Sequence, residues 1–562
     1  MNKKVKLIAT FAAIAVLMFT GIAVGLNVTK NIGKKSYEIS EDKAMKSLEK
    51  KVSDIDVTQV KARKEPIQLD STSLKDELPE IEKYPLSVEN TTDTYIEIFS
   101  STEKSGEGND GWLNDVAEAF NNSGIKINGK EVSVAVRPVA SGMGMDYISS
   151  GKYVPDLYSP SNELWGEMLK SNGIEINMEQ EKLIENVAGV LLSKKKYDEL
   201  ISKYGSIDMK TITEATANSE ISMGYTNPFA SATGLNFLIS TLLNFDAQDP
   251  LSDTAIAGFE NFQANVPYVA YTTLQMRESA KSGILDGFIM EYQTYVNSAD
   301  LRSKYVFTPF GVYHNSPVYS IGRLSDDKKQ IAKEFLDFCE KDEYQDLAKK
   351  YGFDYPDKYV CELPEISGDT LIQAQSLWKE NKDGDKPISA VFVADISGSM
   401  NGEPLNELKR SLLNGAQYIN SDNSIGLVTY STGVYVNLPI AKFDVNQRSL
   451  FAGAVTDLDA SGSTATFDAI LVALNMLMED KKANPETKPM LFVLSDGETN
   501  FGNKLNDIQD ILQALKVPVY TIGYNANISA LDQISAINEA ASINADSDDV
   551  VYQLKNLFNA QM

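Results

Sequence analysis

Apolar runs that end in polar loops recur through the last third of the chain. The run at 388–394 is almost wholly apolar, which is typical of a strand buried on both faces of a sheet. The same pattern predicts further strands at 424–430, 434–438, 489–494 and 517–524, and helices at 404–418, 467–477, 505–515 and 528–536. Strands that alternate with helices in this way predict a doubly wound, Rossmann-like α/β sheet.

The middle of the chain shows the same alternation. Strands are predicted at 95–99, 132–136 and 221–225, and each leads into a loop rich in Ser, Thr, Asn and Gly. A helix is predicted at 111–120, and the polar loop at 227–234 precedes an apolar helix. Because ligands of open α/β sheets bind where loops leave the carboxyl ends of strands, these loops are candidates to bind a small polar or anionic ligand.

Three loops of the last third carry oxygen-bearing side chains. The first is Asp395-Ile-Ser-Gly-Ser399 at the end of a buried strand, and the others contain Ser463-Thr464 and Ser495-Asp496-Gly497. This set resembles the metal-ion-dependent adhesion site of von Willebrand factor A domains, and the resemblance covers about residues 386–562. It implies that one ion is bound by five side chains, namely Asp395, Ser397, Ser399, Thr464 and Asp496.

Hydroxyl and carboxylate oxygens suit a hard divalent cation, so Mg²⁺ is expected, with Mn²⁺ or Ca²⁺ as alternatives. Only two of the five side chains carry charge, so the ion would stay electrophilic. The resemblance implies that an Asp or Glu of a protein partner completes its coordination, which makes the site a recognition device. The alternative is a turn without metal, in which Ser397 and Ser399 cap the following helix.

The segment from about Thr94 to Trp378 resembles the two-lobed extracellular solute-binding proteins of bacteria. The resemblance rests on residues 100–104, on the loop at 227–234 and on the sequence at 287–293. It implies a periplasmic-binding-protein-like domain at 93–385, with a second lobe at about 185–305. The ligand-facing candidates that it implies are Ser100, Ser141, Asn227, Ser231, Thr233 and Glu291. Each could instead cap a helix or close a turn, and Glu291 could be a structural ion-pair partner.

The N-terminus carries an export signal. Lysines at 3, 4 and 6 precede residues 7–26, an uncharged apolar run long enough to span a bilayer. We expect an uncleaved anchor within residues 1–30 that places the rest of the chain outside the cell, although cleavage and secretion is the alternative. Residues 31–92 are rich in Lys, Glu, Asp and Ser and are predicted to form a stalk or linker, with a short helix at 41–52. The C-terminal domain is placed at 386–562.

Composition excludes several classes of function. The formal charge of −26 would repel nucleic acid. His314 is the only histidine, so a histidine metal cluster is excluded, and no phosphate-loop, HExxH or GxSxG motif is present. Cys339 and Cys361 could form one disulfide or remain two isolated thiols. We therefore expect no enzyme.

These observations predict a membrane-anchored extracellular binding protein. Its metal site would grip an acidic group of a protein partner, as in adhesion, and its middle domain would bind a small solute. The alternative is a transport-associated solute receptor in which the C-terminal domain is only a docking module.

Overall fold

The computed structural model describes residues 39–66, 73–266, 268–270, 276–277, 285–361, 363–382, 386–497, 499–524 and 542–545, together with 554, 557 and 558. The predicted anchor in residues 1–30 and the predicted helix at 528–536 lie outside the described residues. Within the described part, no helix has both the length and the hydropathy needed to cross a bilayer.

Two five-stranded sheets form the two lobes of the middle domain. The described chain starts with three elements that precede this lobe: α1 (Glu41–Ser53), β1 (Val57–Gln59) and α2 (Leu74–Glu77). The first lobe then contains β2 (Tyr95–Ser100), α3 (Thr102–Ser105), α4 (Trp112–Asn122), β3 (Lys126–Ile127), β4 (Lys130–Glu131), β5 (Ser133–Pro138), α5 (Ser141–Ser150), β6 (Leu157–Ser159), α6 (Leu164–Ser171) and β7 (Ile176–Gln180). Its sheet has the order β5-β2-β6-β13-β7, in which β13 (Val318–Ile321) comes from the returning chain. The predicted α/β class is confirmed for this lobe.

The second lobe contains β8 (Val187–Ser193), α7 (Lys194–Tyr204), α8 (Met209–Ala217), β9 (Met223–Thr226), α9 (Ala232–Phe245), α10 (Asp253–Gln263), β10 (Tyr268–Ala270), β11 (Gly287–Glu291), α11 (Tyr292–Asn297), α12 (Ala299–Lys304) and β12 (Tyr305–Tyr313). Its sheet has the order β10-β9-β11-β8-β12. Because β12 pairs with β8, this lobe continues to residue 313, beyond the expected end at 305.

The chain crosses between the lobes on two paired segments. Asn186 and His314 bond to each other through both backbone groups, with N···O distances of 3.1 and 2.9 Å. After the return, α13 (Asp326–Cys339), α14 (Asp342–Lys350) and α15 (Gly368–Asn381) complete the middle domain. Cys339 is buried in α13 and is not disulfide-bonded to Cys361, although both lie in the described part of the chain.

A seven-stranded sheet forms the C-terminal domain. Its elements are β14 (Ile388–Asp395), α16 (Glu403–Gly415), β15 (Ser424–Tyr430), β16 (Val434–Lys442), α17 (Val445–Thr456), α18 (Thr466–Ala483), β17 (Lys488–Ser495), α19 (Leu505–Leu515), β18 (Val519–Tyr524) and β19 (Ser542–Ala545). The order is β1-β16-β15-β14-β17-β18-β19, with only β16 antiparallel to its neighbour β15. Alternate residues of β14 pack into cores on opposite faces, as Phe392 and Val393 do, which explains its continuous apolar run.

The segment predicted as a stalk is folded against this sheet, which corrects the prediction for residues 39–66. We call these residues the N-terminal belt. Ala44 and Leu48 of α1 are fully buried in the core beneath α18 and α19, and β1 pairs with β16 from Val57 to Gln59. The physical reason is a short apolar stripe at helical spacing, since burying one leucine contributes about 1.5–3 kcal/mol.

The second half of the predicted stalk packs against the first lobe. Leu78 and Ile81 are buried in its core, and the Tyr147 hydroxyl donates to the Pro79 carbonyl at 2.8 Å. Val88 forms a bridge with Val136 at the edge of the sheet. The middle domain is therefore inserted into the C-terminal domain, between β1 and β14.

Candidate functional site

Three loops meet at the carboxyl edge of the C-terminal sheet. The first follows β14, the second precedes α18 and the third follows β17. The first two are joined by backbone bonds, in which Gly398 N donates to the Gly462 carbonyl at 3.0 Å and Ser461 N donates to the Ile396 carbonyl at 2.8 Å. This edge is therefore built from three loops that are well separated in sequence, between residues 395 and 504.

Four of the five predicted metal ligands are linked by side-chain hydrogen bonds. The Oγ atoms of Ser397 and Ser399 are 3.1 Å apart, and Ser399 Oγ donates to Asp496 Oδ1 at 2.9 Å. Asp395 Oδ1 accepts from Ser397 N at 2.8 Å, and its Oδ2 accepts from Ser495 Oγ at 2.6 Å. The first and third loops thus bring their hydroxyls and carboxylates together.

Thr464, the fifth predicted ligand, lies in the second loop and is held by the third. Its backbone N donates to Asn500 Oδ1 at 2.9 Å, and its carbonyl accepts from Thr499 Oγ1 at 2.9 Å. Asn503, also in the third loop, accepts a 2.9 Å bond from Lys51 of the N-terminal belt. Sequence reasoning missed this contact, because nothing in the pattern indicated that the belt reaches this edge.

Both carboxylates of this set have raised pKa values. Burial raises the pKa of Asp395, and the nearby charge of Asp496 raises it further. Burial also raises the pKa of Asp496. A divalent cation bound to these carboxylates would lower both pKa values, because it favours the ionised forms.

The donor set fits a hard, oxygen-binding cation better than zinc or a softer metal. Among the described residues, no group of three or more His, Cys, Asp or Glu is placed to bind a metal. The residues predicted for this edge instead combine two carboxylates with three hydroxyls, and oxygen donors of this kind suit Mg²⁺, Mn²⁺ or Ca²⁺.

A cleft of about 30 Å³ lies between the lobes of the middle domain, which is room for a few water-sized groups. Of the six predicted ligand-facing residues, Ser141, Ser231 and Glu291 line it. The other lining residues are Ser101, Thr102, Glu103, Ala140, Ser161, Ala230 and Ala232.

The remaining candidates, Ser100, Asn227 and Thr233, are buried and are not part of this lining. Thr233 Oγ1 donates to Glu291 Oε1 at 3.0 Å, so it supports a lining residue. Ser100 is the last residue of β2, and its neighbour Ser101 faces the cleft in its place. Predicting which of two adjacent loop residues faces a ligand requires the backbone path, which the pattern does not specify.

Glu291 is fixed by a buried polar network at the crossing between the lobes. His314 Nδ1 lies 3.0 Å from Glu291 Oε1, and His314 Nε2 faces the amide nitrogens of Asn162 and Asn236 at 3.2 and 3.3 Å. Asn236 Oδ1 accepts from Val312 N, so its amide nitrogen must be the group that faces the ring. His314 therefore accepts at Nε2 and donates from Nδ1 to Glu291. Burial raises the pKa of Glu291, as does the charge of Glu103.

A fully buried lysine lies beside the lining on the first lobe. Lys104 Nζ donates to the Ser159 carbonyl at 2.9 Å and to Ser101 Oγ. Glu103 Oε1 accepts from the hydroxyls of Ser101 and Ser161, each at 2.5 Å. Burial lowers the pKa of Lys104 to about 8, although the charges of Glu103 and Glu291 oppose the shift. Lys104 lies in the segment 100–104 that carries the resemblance, but nothing in the sequence indicated that this lysine is buried, since a lysine after a strand is usually exposed.

We predict that Lys104 makes the middle domain more stable as the pH rises. Between pH 8 and 10.5 the unfolded chain keeps a proton that folded Lys104 has released, so the penalty for burying the charge disappears in this window. Relative to Lys104→Met, the wild-type free energy of unfolding should rise by up to about 3 kcal/mol across it. Denaturation can be followed by tryptophan fluorescence, because Trp112, Trp165 and Trp378 all lie in this domain. Parallel pH profiles for the two proteins would contradict the prediction.

The two lobes are in contact across the cleft. Gly142 N of the first lobe donates to the Ala230 carbonyl of the second at 3.2 Å. At another point, Gln293 of the second lobe donates to the Asn109 carbonyl at 2.8 Å and to Asp110 Oδ1 at 3.1 Å. The lobes therefore meet at two points, and both contribute residues to the lining of the cleft.

Comparisons with known proteins find two families, one in the middle of the chain and one in its last third. Residues 390–560 match the family model of the von Willebrand factor type A domain, and residues 105–354 match that of the bacterial extracellular solute-binding proteins. Inter-alpha-trypsin inhibitor heavy chain H3 of Bos taurus is 29% identical over 177 residues, which are 29% of this chain and 20% of that protein. The chain thus spans about a fifth of the length of this relative.

Several solved structures are similar to parts of the chain. A von Willebrand factor type A protein from Catenulispora acidiphila has 17% identity and a TM-score of 0.29, and the match covers 31% of this chain and 42% of that one. Iron-bound HitA from Pseudomonas aeruginosa has 11% identity and a TM-score of 0.38, and the match covers 52% of this chain and 99% of that one.

Proposed function

Because this chain combines a bacterial extracellular solute-binding domain with a von Willebrand factor type A domain, we propose that it is a surface-anchored receptor with two binding sites. The combination itself is that of a binding or transport-associated protein. In our proposal, a metal ion at the carboxyl edge of the type A domain grips an acidic group of a protein partner. The cleft of the middle domain binds a small solute.

The metal part of the proposal is carried by one observation, the convergence of Asp395, Ser397, Ser399 and Asp496 in a single hydrogen-bonded set. With Thr464, these residues would bind Mg²⁺ or a similar cation. The bound ion would supply an electrophilic centre with exchangeable water. Ser399 is exposed, so a carboxylate of a partner could reach this position.

The solute part of the proposal rests on the polar lining of a cleft that both lobes share. The hydroxyls of Ser141 and Ser231 lie at the starts of α5 and α9, two helices whose N-terminal ends favour acceptor or anionic groups. Lys104, buried beside the lining, adds positive charge, while Glu103 and Glu291 would favour a solute that also has donor groups. A small polar solute with an anionic group fits this arrangement best.

The proposed location follows from the apolar run at residues 7–26. Retained as an anchor, this run would hold the protein on the outer face of the cell membrane. Since α1 begins at residue 41, the type A domain would then lie close to the membrane surface.

We expect the metal face to bind acidic peptides that also carry an apolar side chain. Phe501, in the third loop, is 50% exposed, and its backbone N donates to the carbonyl of the proposed ligand Thr464 at 3.2 Å. Phe501→Ser should lower the affinity for such peptides by about 1–2 kcal/mol, the contribution of one well-placed apolar contact. The measurement is binding to a peptide library in which each acidic residue is paired with its amide variant, with Mg²⁺ and with EDTA.

Val445→Ser is the matched control. Val445 is 86% exposed but follows β16, the antiparallel strand, so it lies at the opposite end of the sheet. Binding that survives EDTA and does not distinguish acidic peptides from their amide variants would refute the metal-gripping function.

A further inference from the structure

The inserted middle domain touches the type A domain through both of its lobes. Tyr418 of the type A domain donates from its hydroxyl to Glu77 Oε1 at 3.0 Å, and its carbonyl accepts from Lys379 Nζ at 2.8 Å. Lys386, just before β14, donates to the Ala264 carbonyl at 3.4 Å. Tyr418 thus bonds to both the entering and the leaving segment of the inserted domain.

The contacts on the middle domain belong to different lobes. Glu77 ends α2, and the chain immediately after it is fixed to the first lobe by buried Leu78 and by the bond between Tyr147 and Pro79. Ala264 follows α10 of the second lobe. A rotation of one lobe relative to the other therefore cannot leave both contacts with the type A domain unchanged.

Helix α15, which leads into the type A domain, also spans both lobes. At its start Gly368 packs so closely on α6 of the first lobe that an added Cβ would lie 2.1 Å from the Glu167 carbonyl oxygen. Further along, Gln375 Nε2 donates to the Pro228 carbonyl at 2.8 Å, and Trp378 Nε1 donates to the Tyr225 hydroxyl at 2.6 Å, both in the second lobe. Pro228 lies two residues before Ala230, which lines the cleft.

On the type A side of this contact, Tyr418 is connected through one helix to the loop that contains Ser399. Tyr418 ends a turn of 3₁₀ helix that directly continues α16, and α16 begins four residues after Ser399. We propose that α15 and Tyr418 couple the closure of the solute cleft to the geometry of the metal face. The inference rests on the proposed metal function, and it adds that each site changes the affinity of the other, since such coupling is reciprocal.

Tryptophan fluorescence can report on this coupling. Its three tryptophans are Trp112, Trp165 and Trp378, and none lies in the type A domain. Mg²⁺ binding at the metal face should therefore change tryptophan emission only if the two domains communicate. We expect emission of the full chain to change on Mg²⁺ titration, with the same midpoint as the heat of Mg²⁺ binding measured by calorimetry.

Point variants test whether the emission change depends on the metal site and on the contacts of Tyr418. Asp395→Asn should remove both the heat and the emission change, whereas Tyr418→Phe and Lys379→Met should keep the heat and lose most of the emission change. Gly142→Ala, which places a Cβ 2.1 Å from the Phe229 carbonyl oxygen and so hinders lobe closure, should shift the Mg²⁺ midpoint by at least about 5-fold.

The outcomes separate the two proposals. No heat of Mg²⁺ binding would remove the proposed metal function and the coupling with it. Normal heat with unchanged emission, together with an unchanged midpoint in Gly142→Ala, would overturn the coupling alone. An emission change that persists in Tyr418→Phe and Lys379→Met would overturn its assignment to this contact.

Discussion

Asp395→Asn is expected to abolish the stabilisation of the type A domain by Mg²⁺. At a metal concentration about 100 times its dissociation constant, the wild-type domain should gain roughly 2.7 kcal/mol, and its melting temperature should rise by several degrees. The variant keeps the shape of the buried side chain but loses its charge, so its metal affinity should fall by more than about 100-fold, since even outer partners of metal ligands contribute 10- to 100-fold. Calorimetric melting with excess Mg²⁺ and with EDTA measures both effects.

Two further variants test whether the loss of Mg²⁺ stabilisation is specific to the proposed metal site. Ser399 is exposed, so Ser399→Ala should weaken metal binding without disturbing the core. Asp510→Asn changes an exposed carboxylate on α19, away from the three loops, and should behave as the wild type. If Mg²⁺ stabilises Asp395→Asn as much as the wild type, the ion binds elsewhere and the proposed site is wrong.

The three loops of the type A domain show which part of the geometry a sequence pattern can predict. Residues 388–394 form a strand whose every side chain is buried, so its apolar run marks both its span and its end. In a parallel sheet the carboxyl ends of neighbouring strands share one edge, and the residues after β14 and β17 must therefore meet. The proximity of Asp395 and Asp496 follows from sheet order, without any knowledge of side-chain packing.

The solute cleft could be predicted only in part, because its lining depends on how two lobes meet. Strand ends led to loops that meet at this cleft, and Ser141, Ser231 and Glu291 line it. The burial of Lys104 and the half-buried position of Glu103 could not be recognised, since they depend on contacts with β6 and with Ser161. Contacts of this kind are tertiary and leave no local periodicity.

The prediction of a stalk at residues 39–66 was wrong for a related reason. Its composition is polar, and α1 carries only a narrow apolar stripe around Leu48. The core that receives this stripe is formed by α18 and α19, more than 400 residues later in the chain. An edge strand as short as β1 likewise has no recognisable pattern until β16 is available to pair with it.

Insertion of one domain into another gives lobe closure a special importance in this protein. At the cleft, the lobes meet through a close approach of two backbones, at Gly142 in the first lobe and at residues 229–230 in the second. A Cβ at Gly142 would lie 2.1 Å from the Phe229 carbonyl oxygen and 2.9 Å from the Ala230 Cα. Both of these atoms belong to the backbone, so the neighbours cannot relieve the overlap by a rotamer change.

We predict that Gly142→Ala holds the lobes apart and removes solute binding. Its radius of gyration in solution scattering should exceed that of the wild type. A solute that stabilises the wild-type middle domain by roughly 2.7 kcal/mol, at about 100 times its dissociation constant, should give the variant little or no thermal shift. The solute can be found by screening small anionic and zwitterionic compounds against the wild type.

Gly433→Ala is the matched control, because the nearest atom to its added Cβ is 3.5 Å away. Equal scattering profiles and equal solute stabilisation in Gly142→Ala and the wild type would mean that the lobes can close around the extra methyl group. The expected loss is large because Gly142 adjoins Ser141 and Ala230 adjoins Ser231, and all of these except Gly142 line the cleft. Separating the two backbones therefore also separates the two halves of the solute site, so a solute would meet only one of them.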